Sequence, residues 1–346
     1  MNRPIAYRRF RLLPSLRSPL AGIVAAVLLA IPLGGCDRSS EPSATSATAA
    51  KKEPLPSDAA LRERIDRVLD FTQNDRHLSS EVHAAWQILH GALAYGRSFE
   101  IVHEGKRVPA LDWVLDGGKM KGWTMRRGPK GLKAVLEPGT KTGQGHEDQW
   151  LAVIAQSDLP ADHPVVVGST KYRIGDLVNQ AKYDLFDGKE CSWTLIGLST
   201  YLPADVTWKA RDGGIWSLER IMAMEANQDL AVSACGGTHR LIGMTMALKR
   251  FEDAEADAKD EPPKLTAGWL AAQQKIRQAV DLAREYQLPN GAFSINYFQR
   301  SANAPDMAAH LGASGHTLEF LSLALDNQQL HQEWITRGVV HLCELL

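Results

Sequence analysis

Apolar residues recur at helical spacing through most of 58–346, and the segments they mark are of two kinds. Five are apolar on nearly every side: 86–95, 150–154, 193–202, 241–248 and 318–325. Four others, 61–71, 174–186, 215–224 and 265–286, are amphipathic. The two kinds alternate along the chain. A helix that is apolar all round must be buried, whereas an amphipathic one keeps a face in water. This pattern predicts a mainly α fold with a set of inner helices sheathed by outer ones. Composition agrees, with 44% hydrophobic and 23% charged residues. Lys plus Arg is 39 against 40 Asp plus Glu, a net charge of −1. That balance lacks the clustered basic surface that phosphate neutralisation needs, so no nucleic-acid partner is expected. Four Cys in 346 residues are too few for a disulfide framework.

The buried segments also begin alike. Four starts align as Gly145-His146-Glu147-Asp148-Gln149-Trp150-Leu151, Ser192-Trp193-Thr194-Leu195-Ile196-Gly197-Leu198, Thr238-His239-Arg240-Leu241-Ile242-Gly243-Met244 and Gly315-His316-Thr317-Leu318-Glu319-Phe320-Leu321. Their second positions are 47, 46 and 77 residues apart. The last interval holds an acidic loop, 252–264, and a long outer helix. Ser80 to Trp86, with His83, is a candidate fifth start. A polar or Gly residue at each start suits a helix N-cap. One stretch breaks the pattern. Residues 98–142 are rich in Gly, Lys and Arg, with alternating apolar pieces and turn signals at Asp116-Gly117-Gly118 and Arg127-Gly128-Pro129. They predict a β-hairpin insertion between the first and second buried helices. Inner and outer helices alternating at this period predict an α/α toroid of five to six helical hairpins, its inner helices ringing one axis. A bundle of antiparallel pairs or an open solenoid satisfies the same pattern.

The N-terminal segment has its own logic. Arg3, Arg8, Arg9, Arg11 and Arg17 precede an apolar run over 20–33, and no acid occurs before Asp37. A basic flank, a short apolar core and small residues at its end make an export signal, here 1–35. The run is too short and too one-sided for a spanning helix. It ends Leu33-Gly34-Gly35-Cys36, which resembles the lipobox of bacterial lipoproteins. The resemblance implies diacylation of Cys36, with two acyl chains anchoring the mature protein to a membrane of the cell envelope. Removal of 1–35 would take five of the 39 basic groups and no acid, leaving 34 against 40, a net charge of −6. Residues 36–57 are the anchor Cys followed by Ser, Thr, Ala, Pro and Lys, and read as a flexible tether reaching about 25 Å. Residues 58–346 form the helical domain.

A second resemblance concerns the domain. Gln287-Leu288-Pro289-Asn290-Gly291-Ala292-Phe293-Ser294 resembles the Gln…Gly-x-Trp repeat of terpenoid cyclases and related toroids, with Phe in place of Trp. Arg211-Asp212-Gly213-Gly214-Ile215-Trp216 is a partial second copy. The resemblance spans roughly 145–325. The Asp-rich acid motif of those cyclases is absent, so it implies the toroid and not cyclase chemistry.

The aligned second positions, His146, Trp193, His239 and His316, would share one rim of a toroid. Helix N-termini converging there favour an anion, and Arg240 adds charge. Trp193 can stack on a sugar or a planar ligand. Glu147, Asp148 and Glu319 can act as general acid or base. The plainer account is that polar helix starts cap helices and the histidines bond neighbouring turns. Cys191 and Cys235 stand at or just before equivalent starts, and an oxidising compartment would permit a bridge between them. Cys235 and His239, four apart, with His146 or His316 added, are also a metal-ligand set. No Cys-x-x-Cys or His-Glu-x-x-His accompanies them, so neither a metal nor another cofactor is expected. No Gly-x-Ser-x-Gly elbow, P-loop or dinucleotide fingerprint occurs. The sequence therefore predicts an envelope lipoprotein that binds a ligand, an anionic small molecule or a glycan, or else a protein partner, at the rim without catalysis. An envelope enzyme acting on an anionic glycan or an isoprenoid is one alternative, and a scaffold docking through the β-insertion is another.

Overall fold

The computed structural model describes residues 54–258 and 264–346. The export signal, Cys36 and most of the tether lie outside the described residues. The described chain is mostly helix. It runs α1 (Asp58–Asp70), α2 (Ala85–Tyr95), β1 (Glu100–His103), β2 (Lys106–Pro109), α3 (Ala110–Leu115), β3 (Trp123–Arg127), β4 (Leu132–Leu136) and α4 (Gln149–Ala155). It continues β5 (Pro164–Val167), β6 (Thr170–Arg173), α5 (Ile174–Tyr183), α6 (Ser192–Tyr201), β7 (Thr207–Lys209), β8 (Ile215–Ser217) and α7 (Leu218–Ala226). It ends α8 (Thr238–Ala258), α9 (Ala267–Glu285), α10 (Met307–Ala324), α11 (Asn327–Leu330) and α12 (Glu333–Leu345).

The five apolar segments are the helices α2, α4, α6, α8 and α10, and they form the core. Every residue of α4 is buried, and so is nearly all of α6. They pack in chain order, α2 on α4, α4 on α6, α6 on α8 and α8 on α10. Glycine permits two of these approaches. A Cβ at Gly197 would lie 2.7 Å from Leu151 Cγ, and one at Gly243 would lie 2.5 Å from the Ser192 carbonyl oxygen. The amphipathic helices cover this layer, with α5 against α4 and α6, α7 against α6 and α8, and α9 against α7 and α8. The last helix, α12, packs on α10 and on α1, so the two ends of the domain meet. Arg64 and Glu344 face each other there at 3.7 Å.

Strands are more numerous than the sequence pattern suggested. Segment 98–142 holds two antiparallel hairpins, β1–β2 and β3–β4, with α3 between them, where one hairpin was expected. Two further hairpins, β5–β6 and β7–β8, lead into α5 and α7 just as β1–β2 leads into α3. Ile215 and Trp216, read as the start of a helix, are in β8. The helix begins at Leu218, where Ser217 Oγ accepts from Arg220 N at 3.1 Å. The strands of β1–β2, β5–β6 and β7–β8 are three or four residues long, too short for a period of two to stand out. Their turns use residues in the left-handed region: Glu104 and Gly105 (φ 49° and 73°), Gly168 (60°) and Gly213 (80°).

Three more boundaries differ from expectation. Residues 252–258, expected to be loop, extend α8. Helix α10 starts at Met307, capped by Asp306 Oδ1 on Ala308 N at 2.9 Å, so His316 lies in mid-helix and not at a start. His146 precedes α4 in a turn whose N-cap, Asp148, has φ 60°. The two toroid-like motifs are structural turns. Gln287 Nε2 donates to Gly291 O at 2.9 Å and to Trp334 O at 2.8 Å, which ties the end of α9 to α12. Phe293 is buried with its ring 6.1 Å from that of Trp334. Asp212 accepts from Gly214 N at 2.8 Å and from Trp216 Nε1, and the Arg220 guanidinium lies 4.0 Å above the Trp216 ring. No helix among the described residues is long and apolar enough to cross a membrane.

Candidate functional site

Rings from four consecutive parts of the buried layer converge on His239. This side chain is at the second position of α8, fully enclosed, 4.8 Å between ring centroids from His146, 4.9 Å from Trp193 and 4.9 Å from His316. His146 and Trp193 are 6.0 Å apart. The four aligned positions therefore do meet. They come from the turn before α4, the first turn of α6, the first turn of α8 and the middle of α10. Burial pushes the imidazolium of His239 well below the ordinary range, and the nearby His146, His316 and His90 push it the same way. At neutral pH its ring is uncharged. Neither Nδ1 nor Nε2 of His239 has a hydrogen-bond partner among the described residues. The indole N–H of Trp193 is likewise unpartnered.

Carboxylates stand behind the outer two histidines. Glu190 Oε1 lies 3.3 Å from His146 Nδ1, and Glu319 Oε2 lies 3.3 Å from His316 Nδ1. The hydrogen bond from His146 holds the Glu190 carboxyl below its ordinary value against the opposing effect of burial. His90 on α2, with Nδ1 2.5 Å from Trp86 O, acts on His239 through space and was missed in the sequence. Its only signal was a polar residue inside an otherwise apolar helix.

Cys235 completes the cluster. It sits in a turn of left-handed residues, Cys235 (φ 48°), Gly236 (61°) and Gly237 (78°), that ends where α8 begins. Such a φ is uncommon for a residue with a Cβ. The ligand atoms of Cys235, His239 and His316 lie within 4.8 Å of one another, and all three residues are buried.

Several expected roles change. The Cys191–Cys235 bridge does not form, since neither cysteine is in a disulfide. The turn aims Cys235 at the histidines, whereas Cys191 is enclosed beside Glu225 and Lys189, where burial pushes its thiol far up. Arg240 does not offer its charge to the cluster. Its Nη1 is 2.6 Å from the wholly buried Glu225, and its Nε donates to Ser233 Oγ at 2.9 Å. Glu147 is exposed, 3.4 Å from Lys189 Nζ. The inward acid is its neighbour Asp148, which accepts from Lys189 Nζ at 2.9 Å and from Thr194 Oγ1 at 2.5 Å. Burial alone would lower the Lys189 pKa, but Asp148 and Glu147 outweigh it and hold the ammonium above its ordinary range. His83 bonds Ser79 N at 2.9 Å, in the bland manner of a turn histidine.

Comparison with protein-family models, curated proteins and solved structures finds no match to the chain. The functional reading therefore rests on the cluster itself.

Proposed function

We propose that the chain is an exported envelope lipoprotein, anchored through Cys36, whose domain is an α/α toroid that binds a ligand at the His239 end of its buried helices, without catalysis. Toroid geometry is supported by the packing of α2, α4, α6, α8 and α10 in chain order, by the contact of α12 with α1, and by the gathering of rings from the turn before α4, from α6 and from α10 around His239.

The observation that carries ligand binding is the unpartnered, enclosed imidazole of His239. A buried polar atom without a hydrogen bond costs about 1–3 kcal/mol, and this ring has two such atoms. A bound ligand offsets that cost, whereas a merely structural role would have favoured an apolar residue. The test uses protein stripped of metal with a chelator that is then dialysed away. Phosphate, acidic sugars and neutral sugars are titrated while the fluorescence of Trp193 is followed, with Trp193→Phe as the blank. Binding that drops in His239→Ala while the melting temperature holds supports the reading. A parent protein that binds none of the panel, and no metal ion either, leaves the cluster structural.

A further inference from the structure

We infer that Cys235, His239 and His316 form a site for a divalent cation of the zinc class. The inference deepens the ligand-binding reading above and rests on it. Three features that do not depend on one another carry it.

The first is the donor set. A thiolate and two imidazoles are borderline-soft ligands, the chemistry that selects zinc and its transition-metal neighbours over magnesium or calcium. Bonds of about 2.3 Å to sulfur and 2.0–2.1 Å to nitrogen place adjacent ligands of a tetrahedral site roughly 3.5 Å apart. The observed atoms lie within 4.8 Å, so small side-chain rotations close the set.

The second is the unmet imidazole. His239 is buried, and both its ring nitrogens lack hydrogen bonds among the described residues, so each is open to a ligand bond. Cys235, on a backbone with left-handed φ (48°), places its sulfur within 4.8 Å of the ligand atoms of His239 on α8 and His316 on α10.

The third is the outer layer. Glu319 engages Nδ1 of His316, and Glu190 engages Nδ1 of His146. A carboxylate on the far nitrogen fixes the ring orientation and raises the basicity of the nitrogen that bonds the metal. With Nδ1 taken by Glu319, Nε2 is the donor of His316. The ring of His146 lies beside the set, 4.8 Å between centroids from that of His239. On binding, the Cys235 thiol loses its proton to solvent and a sulfur–metal bond forms, with no change of oxidation state.

The experiment takes the full chain, purified in detergent and stripped of metal. It is titrated with Co²⁺ and then with Zn²⁺, without any other ligand. One equivalent of Co²⁺ should bring up a thiolate-to-cobalt charge-transfer band, which one equivalent of Zn²⁺ then removes. Cys235→Ser should abolish the band, Cys343→Ser should keep it, and Glu319→Gln should weaken Zn²⁺ binding about 10–100-fold. A folded parent that takes up no stoichiometric metal overturns the inference, as does a Cys235→Ser chain whose cobalt spectrum is unchanged. Because the ligand panel above is run without metal, its outcome is separate. Panel ligands bound through His239 with no metal uptake would refute the metal site alone. Loss of both would refute both readings.

Discussion

Glu225 shows how a single side chain can set the chemistry of its surroundings. It is wholly buried, bonds Arg240 at 2.6 Å and accepts from the Cys191 N–H, at the start of α6, at 2.8 Å. Burial pushes its carboxyl up, and Arg240 and the Cys191 N–H act against that. Removing one member of such a pair leaves the other charge buried and uncompensated, which costs about 3–5 kcal/mol. Glu225→Ala is therefore expected to lose about that much stability in urea unfolding. The double change Glu225→Leu, Arg240→Met should cost less than the single one, because it strands no charge. Equal losses would show that packing, and not the stranded guanidinium, sets the penalty. Arg240 was assigned to ligand binding from its place in an aligned repeat. Its partner, fifteen residues earlier in an outer helix, was not legible in any local pattern.

Among the elements, the buried helices depend on two glycines at one repeat position, Gly197 and Gly243, each four residues after an aligned ring residue. Gly243 faces the Ser192 carbonyl, a backbone atom that cannot rotate away. Gly243→Ala should therefore cost about 1–3 kcal/mol through overpacking, despite the higher helix propensity of Ala. Gly312 in α10 is the control, since an added Cβ there meets nothing within 4 Å. Gly312→Ala should stabilise by about 0.5–1 kcal/mol. Thermal melts of both variants check the pair, and losses of equal size at both sites would contradict the close-approach argument. The hairpins were the elements least visible in advance. Each of β5 to β8 has only three or four residues, and burial falls on isolated positions such as Val165, Trp208 and Trp216. A pattern that short is indistinguishable from the flank of a helix, as the misreading of Ile215 shows.

For the molecule as a whole, the proposed division of labour is between an anchor and a domain whose buried ring cluster holds the ligand site. The proposed anchor rests on the lipobox-like Leu33-Gly34-Gly35-Cys36 after a basic and apolar leader. Cys36→Ser should shift the protein from the membrane pellet to the soluble fraction and leave its melting temperature unchanged. A variant that still partitions into detergent would count against acylation. Two acyl chains hold far more firmly than one, so an intermediate distribution is not expected.

The sequence by itself determined which helices are buried and their order. Burial is written locally: a helix with no polar face has one environment available to it. The tertiary structure decided which rings meet. Only the way the buried helices pack together puts His316, in mid-helix, against His239 at a helix start 77 residues earlier. Only the left-handed turn at 235–237 sets Cys235 beside His239 and His316, where the sequence suggests a bridge to Cys191. Arg240 and Glu147 looked functional because charge is visible in a sequence. They serve ion pairs because the groups that neutralise charge are chosen by packing across distant segments, and no local spacing encodes that choice.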